Sequence, residues 1–176
     1  MNATLGSALT TSKQSNGFVV KNPNQVINSF TIRDKDSAAA TLKLNGTDQI
    51  NQLKDLLKNY DMTPISTNDL AKIGSMLYQN GLIDEQVDSM FISGNNAFDA
   101  NGQQTDKDVK FNAIAMFNEM LTATQGVAKA NPEFAMESQQ GYQVALHSLV
   151  GANQAINALA YFSNSPHSNL SVSERA

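Results

Sequence analysis

The run from Asn131 to Asn164 constrains the fold more than any other stretch of this chain. Asn131, Pro132 and Glu133 supply an N-cap, a proline at the first helical position and an acid near the positive end of the helix dipole. From there Phe134, Ser138, Gly141, Ala145, Ser148, Ala152, Ala155, Leu159 and Phe162 recur at alternating steps of four and three, which is one seam of an α-helix. The middle of that seam is small, so another backbone can approach closely. Tyr142, Leu146, Leu149 and Ile156 widen it, and Ser163-Asn164-Ser165-Pro166 is its expected stop. Such a helix would be about 50 Å long. A compact domain of this length measures only roughly 40 Å across, so the helix must span the molecule, protrude or bend. Gly141 and Gly151 are the candidate bends, with close packing as their preferred role.

A second stripe faces the first. Val109, Ala113, Met116, Met120, Ala123 and Val127 step by four and three and are all apolar. Phe117 and Leu121 broaden the stripe, while Phe111 and Ile114 lie on the other side. The spacing predicts a helix from about Thr105 to Gln125, capped by Thr105 or Asp106 and ended by Gly126. It is expected near the centre and antiparallel to the Asn131 helix.

Upstream, Thr47 or Asp48 can cap a helix reaching about Tyr60, with Ile50, Leu53, Leu56 and Leu57 on one face. Ser66 or Thr67 starts another, striped by Leu70, Ile73, Met76 and Leu77 and stopped by Asn80-Gly81. Asp84 caps a third, carrying Val87, Met90 and Phe91 and stopped by Gly94. Between Val26 and Gly46 two readings stand. Ser29–Arg33 and Thr41–Leu44 alternate like the strands of a small N-terminal β-hairpin, whereas the alanines after Asp36 favour a helix to Leu44. The fold class is therefore mainly α, a helical bundle of four to six helices with or without that hairpin. The expected domains are a flexible segment over 1–17, a single helical domain over 18–165 and a flexible tail over 166–176.

Composition narrows the function classes. The 176 residues carry a net charge of −4, no cysteine and only two histidines. A mildly acidic chain lacks a nucleic-acid footprint. The two short helices around Gly81 could suggest a helix-turn-helix, but the second bears Asp84, Glu85 and Asp88 and no base, so it would repel phosphate. Without cysteine there are no disulfides or thiolate metal sites. No apolar run approaches the roughly 20 residues of a membrane span. Asn, Gln and Ser make up more than a quarter of the chain, so its polar surface is mostly uncharged. Residues 1–17 are rich in Ser, Thr, Asn and Gln, and no acid precedes Asp34. That composition loosely resembles the unfolded export signals read by type III or flagellar secretion machines; its alternative is a frayed terminus. The expected location is accordingly the cytoplasm, or export without a cleavable secretory signal.

One stretch is motif-like. Phe98-Asp99-Ala100-Asn101-Gly102 resembles the start of an EF-hand loop. With Asp99 at position 3, Asn101 and Gly102 fall at 5 and 6 and Asp108 at 12, but Ala97 occupies position 1 where an oxygen ligand is needed. Asp99, Asn101 and Asp108 are the candidate calcium ligands; the alternative is a turn built by Asp99 and Asn101-Gly102. No other cofactor is expected. His147 has no ligand-type neighbour one helical turn away except Gln143, so an enzyme would need a site assembled from His147 and distant acids such as Asp55, Asp61, Asp69 and Glu119. No phosphate loop, nucleophile elbow or paired-histidine motif is present. Methionines 76, 90, 116, 120 and 136 are expected to fill the core, with an adaptable binding surface as the alternative. These signs point to a non-enzymatic helical interaction module, an accessory or exported bacterial protein that engages a protein partner or itself.

Overall fold

The computed structural model describes residues 17–175, with side chains through Asn164. The element order is α1 (Lys35–Thr41), α2 (Gly46–Leu57), β1 (Ile65–Ser66), α3 (Thr67–Gln79), α4 (Glu85–Ser93), β2 (Lys110–Phe111), α5 (Ala113–Ala130), α6 (Pro132–Glu137) and α7 (Gln139–Arg175). The fold is thus mainly helical, with one two-stranded antiparallel sheet that pairs Ile65 with Phe111 and Ser66 with Lys110. The mobile segment and export signal expected over 1–17 lie outside the described residues, Gly17 apart. The helical backbone of α7 is assigned through Arg175, past the expected stop at Pro166.

Local chemistry starts most helices where the sequence marks them. Ser66 accepts from the Asp69 N–H at 3.1 Å and Asp84 from the Val87 N–H at 2.9 Å, each supplying an otherwise unpaired donor of the first turn. Gly81 and Gly94 take positive φ after α3 and α4, as expected of helix stops. Between Val26 and Gly46 the helical alternative is realised. Asp34 accepts from both the N–H and the hydroxyl of Ser37 at 2.8 Å, and Ala38, Ala39 and Ala40 extend the turn so formed. Leu42, expected in a strand, is the C-cap and is fully buried. The start of α2 moves two residues forward to Asn45, whose N–H is taken by Gln49 Oε1 at 2.6 Å, and Leu56 faces solvent while Ile50, Leu53 and Leu57 are buried.

Two boundaries in the C-terminal half differ from expectation. α5 begins at Ala113, because Asn112, not Thr105 or Asp106, accepts from the Ala115 N–H at 3.0 Å, and Lys110–Phe111 just before it is committed to the sheet. It then runs through Gly126 to Ala130. The helix expected to begin at Asn131 is divided. Pro132 starts the six-residue α6, Ser138 leaves helical geometry at φ −106°, ψ 32°, and no residue of α6 is buried to hold it in line with α7.

α7 is the axle. It packs against α1, α2, α4 and α5. From Leu149 to Phe162 it is buried on nearly every side: Ala152, Ala155, Ala158 and Ala160 let neighbouring backbones close in, and Leu149, Ile156, Leu159 and Phe162 fill the gaps between them. α5 runs antiparallel to it. Asn153 donates to the Phe117 carbonyl at 2.9 Å, and three residues earlier on α5 Ile114 shares a cleft with Asn157, four residues later on α7. An N-terminal strap crosses this frame. Glu119 on α5 accepts from the N–H groups of Lys21 (2.6 Å) and Asn22 (3.0 Å), and Asn112 donates to the carbonyls of Pro23 (2.9 Å) and Gln25 (2.8 Å). Phe18, Val20, Phe30 and Ile32 lie half-buried beneath it.

The two helical glycines part company. A Cβ on Gly151 would run into the Val87 side chain of α4, whereas one on Gly141 would meet nothing within 4 Å. Gly151 therefore has the close-packing role expected of both, and Gly141 does not. Gly141→Ala is expected to raise stability by about 0.5–1 kcal/mol, from the lower backbone entropy of alanine in a helix. Gly151→Ala is expected to lower it by roughly 1–2 kcal/mol, because the branched Val87 side chain must move in a packed interface. Chemical denaturation of both variants checks the opposite signs.

Candidate functional site

The candidate calcium ligands are drawn into separate local tasks. Asp99 Oδ1 accepts from the N–H groups of Asn101 at 2.8 Å and Gln103 at 2.9 Å, closing the turn tip between the paired residues Phe98 and Gln104. Asp99 and Asn101 are thus brought together by the turn. Asp108 instead accepts from Asn68 Nδ2 at 2.6 Å, at the start of α3. Ala97, at the first position of that loop, is buried. Among the described residues no group of three or more histidines and acids is arranged to hold a metal ion.

The acids considered as partners for His147 are likewise dispersed. Asp61 accepts from the Thr63 N–H and hydroxyl, Asp69 lies 3.6 Å from Lys72, and Glu119 holds the strap. The acid that meets His147 is Asp84, 63 residues away in sequence, with Nε2 to Oδ2 at 2.6 Å. Sequence reasoning gave Asp84 only a capping role, and no local signal pairs it with His147; the contact arises because α4 docks on α7 through the Val87–Gly151 approach one turn further on. The histidine is exposed. Beside the pair lies a small cleft of ≈ 130 Å³ lined by Lys43, Leu82, Gln154 and Ala155 among others.

Asp84 does two jobs at once: Oδ1 caps α4 and Oδ2 ties α4 to α7. Partial burial pushes its carboxyl up, but the hydrogen bond from His147 and the capping Val87 N–H outweigh this and leave it below the ordinary aspartate range. Its contribution is then complete above that ordinary range and is lost as pH falls through the lowered value. Asp88, one turn along, goes the other way. It is buried against Gly74 of α3, its Oδ1 has no hydrogen-bond partner, and desolvation together with the Glu85 charge raises its carboxyl.

The exposed stretch between the buried parts of α5 and α7 forms an arm. α5 is buried from Ala113 through Leu121, and α7 becomes buried from Ser148 onward. Between them, residues 122–145 are mostly exposed, as two helical segments joined by α6, each running about 10–15 Å along its axis. Val127 (52%), Phe134 (57%), Met136 (77%) and Val144 (42%) are exposed on it. Isolated exposed hydrophobic residues are ordinary, but here four fall within eighteen positions. Ala123 and Val127 complete the stripe that begins with the buried Ala113, Met116 and Met120, so that stripe runs off the end of the core into water. Met136, expected inside, stands at the tip.

Comparison with known proteins identifies no relative: no family model, no curated protein and no solved structure matches this chain.

Three substitutions check the electrostatics. His147→Ala removes only an exposed side-chain contact to Asp84 and is expected to cost about 0.5 kcal/mol. Asp84→Ala also removes a helix cap and should cost about 1 kcal/mol more. Asp88→Asn removes a buried charge and should raise the melting temperature at pH 7, with a gain that shrinks as acid protonates the wild-type carboxyl. Thermal melts across pH read all three.

Proposed function

We propose that this protein is a non-enzymatic helical interaction module that docks through the arm formed by residues 122–145. The observation that carries the reading is the α5 stripe, which continues past Met120 into solvent at Ala123 and Val127 with no change in its spacing. A helix face with unbroken apolar periodicity is built to be covered. Exposed apolar patches mark protein contacts. The arm is also chemically bland. Residues 122–146 carry only Lys129, Glu133 and Glu137 as formal charges, and no histidine or cysteine. A helical pair that worked in water alone would be expected to bristle with charge.

The rest of the molecule serves as a mount for the arm. α7 enters the core directly from it and is gripped there by four other helices. A force or an ordering event at the arm is thereby passed to the whole frame rather than to a loose loop.

A photo-activated cross-linker tests this reading. Placed at Met136 in the full chain, in extract of cells that make the protein, it is expected to give a discrete product. Placed at Asp55, which is exposed on α2, it is expected to give none. Equal products at both positions, or none at Met136, would overturn the assignment.

A further inference from the structure

We infer that the cleft at the end of the α5–α7 pair opposite the arm is a binding site for a small organic ammonium ion, a molecule with an apolar body and a cationic, N–H-bearing end. The cleft shares no residue with the arm, so this inference and the interaction reading stand or fall separately.

The cleft encloses ≈ 350 Å³, within the roughly 300–1,000 Å³ of small-ligand sites. Val26 and Ile32 of the strap, Met62 after α2 and Ile114 of α5 give it an apolar wall. Hydrogen bonds hold that wall in place. Asn112 donates to the Gln25 carbonyl, next to Val26, at 2.8 Å, and the Ala113 N–H donates to the Met62 carbonyl at 3.0 Å. A site fixed in this way is formed before its ligand arrives.

The polar lining sets the chemistry of the ligand. Asn157 is only 4% exposed, and its Nδ2 donates to the Asn153 carbonyl at 2.7 Å. Its Oδ1 accepts nothing from any described residue, so an acceptor is left over in the wall of the cleft. An N–H from a ligand would recover what that unmet acceptor costs. Asp61 is the exposed acid of the lining. Its Oδ1 accepts both the N–H (2.9 Å) and the hydroxyl (3.1 Å) of Thr63. Its Oδ2 takes no hydrogen bond, and the carboxylate makes no ion pair, among the described residues. No lysine, arginine or histidine lines the cleft among those residues either. Arg33, which follows Ile32, is exposed and lies outside the lining.

Two unmet acceptors, one of them charged, call for a ligand end that donates N–H bonds and carries positive charge. An anion would face Asp61 with no base to offset the repulsion. A purely apolar molecule would leave Asn157 Oδ1 unpaired.

The test titrates the isotope-labelled full chain with phenethylammonium, and separately with phenylacetate as an anion of similar shape. Each is taken to about 10 mM, which covers the weak affinities of such small ligands. Amide spectra are expected to show one saturable shift with phenethylammonium at the Asn157 side chain and the backbones of Ile32 and Met62, and none there with phenylacetate. Asp61→Asn keeps an acceptor for Thr63 but removes the charge, and should weaken binding about three- to fivefold, as for an exposed charge pair. Val26→Lys sets a cation at the same cleft and should weaken it comparably. Val26 is 48% exposed, so this second variant leaves the core untouched and decides the matter alone if Asp61→Asn does not fold. No saturable shift at the cleft, an equal response to phenylacetate, or binding that ignores the substitutions overturns the inference.

Discussion

The burial of α7 between Leu149 and Phe162 is the constraint on which the rest of this structure depends. Four helices pack against that one segment, and they can do so because alanine occupies so many of its positions. An alanine-lined helix lets neighbouring axes approach, and the larger side chains interleaved with it fill what would otherwise be voids. Gly151 is the extreme case, since even one methyl there would collide with Val87. Where two asparagines enter the same packed zone, they turn inward to the backbone: Asn153 to the carbonyls of Phe117 and Leu149, and Asn157 to that of Asn153. Burial of their amide N–H groups is offset by those bonds, while Asn153 Oδ1 is buried without a partner among the described residues.

The same two helices that make the core also make the arm. α5 and α7 are packed together at their inner ends and exposed toward the connection between them. Their apolar spacing carries on past the surface of the globule, though the residues between become polar and small. What changes is the supply of neighbours, for α1, α2 and α4 reach only the inner part of α7. The apolar exposure is thus a consequence of helices longer than the body that holds them, which is why an interaction surface is the natural reading of residues 122–145.

Elsewhere the chain is held down by single polar side chains spanning long sequence separations. Glu119 and Asn112 between them fix the strap at four backbone positions, Thr67 Oγ1 accepts from the Asn95 N–H, and Gln104 reaches back to the end of α4. This accounts for the fate of the motif-like loop. Phe98–Gly102 does form the turn that its Asp and Asn-Gly favour, but Asp108 is engaged by Asn68 from another part of the chain. Spacing along the sequence measured their order and not the neighbours competing for them.

The sequence by itself determined the helical class, the caps at Ser66 and Asp84, the glycine stops at 81 and 94, and the two long apolar stripes. Each of these follows from interactions within one or two turns, which are written in consecutive residues. Only the tertiary structure decided that α5 starts at Asn112 and not at Thr105, since that depends on β2 pairing with a strand 45 residues earlier. It alone decided that Asp84 meets His147, that Gly151 is crowded while Gly141 is open, and that a single periodic stripe is core at Met116 and surface at Val127. Periodicity shows which face of a helix is apolar, but whether anything lies against that face is set by elements distant in the chain.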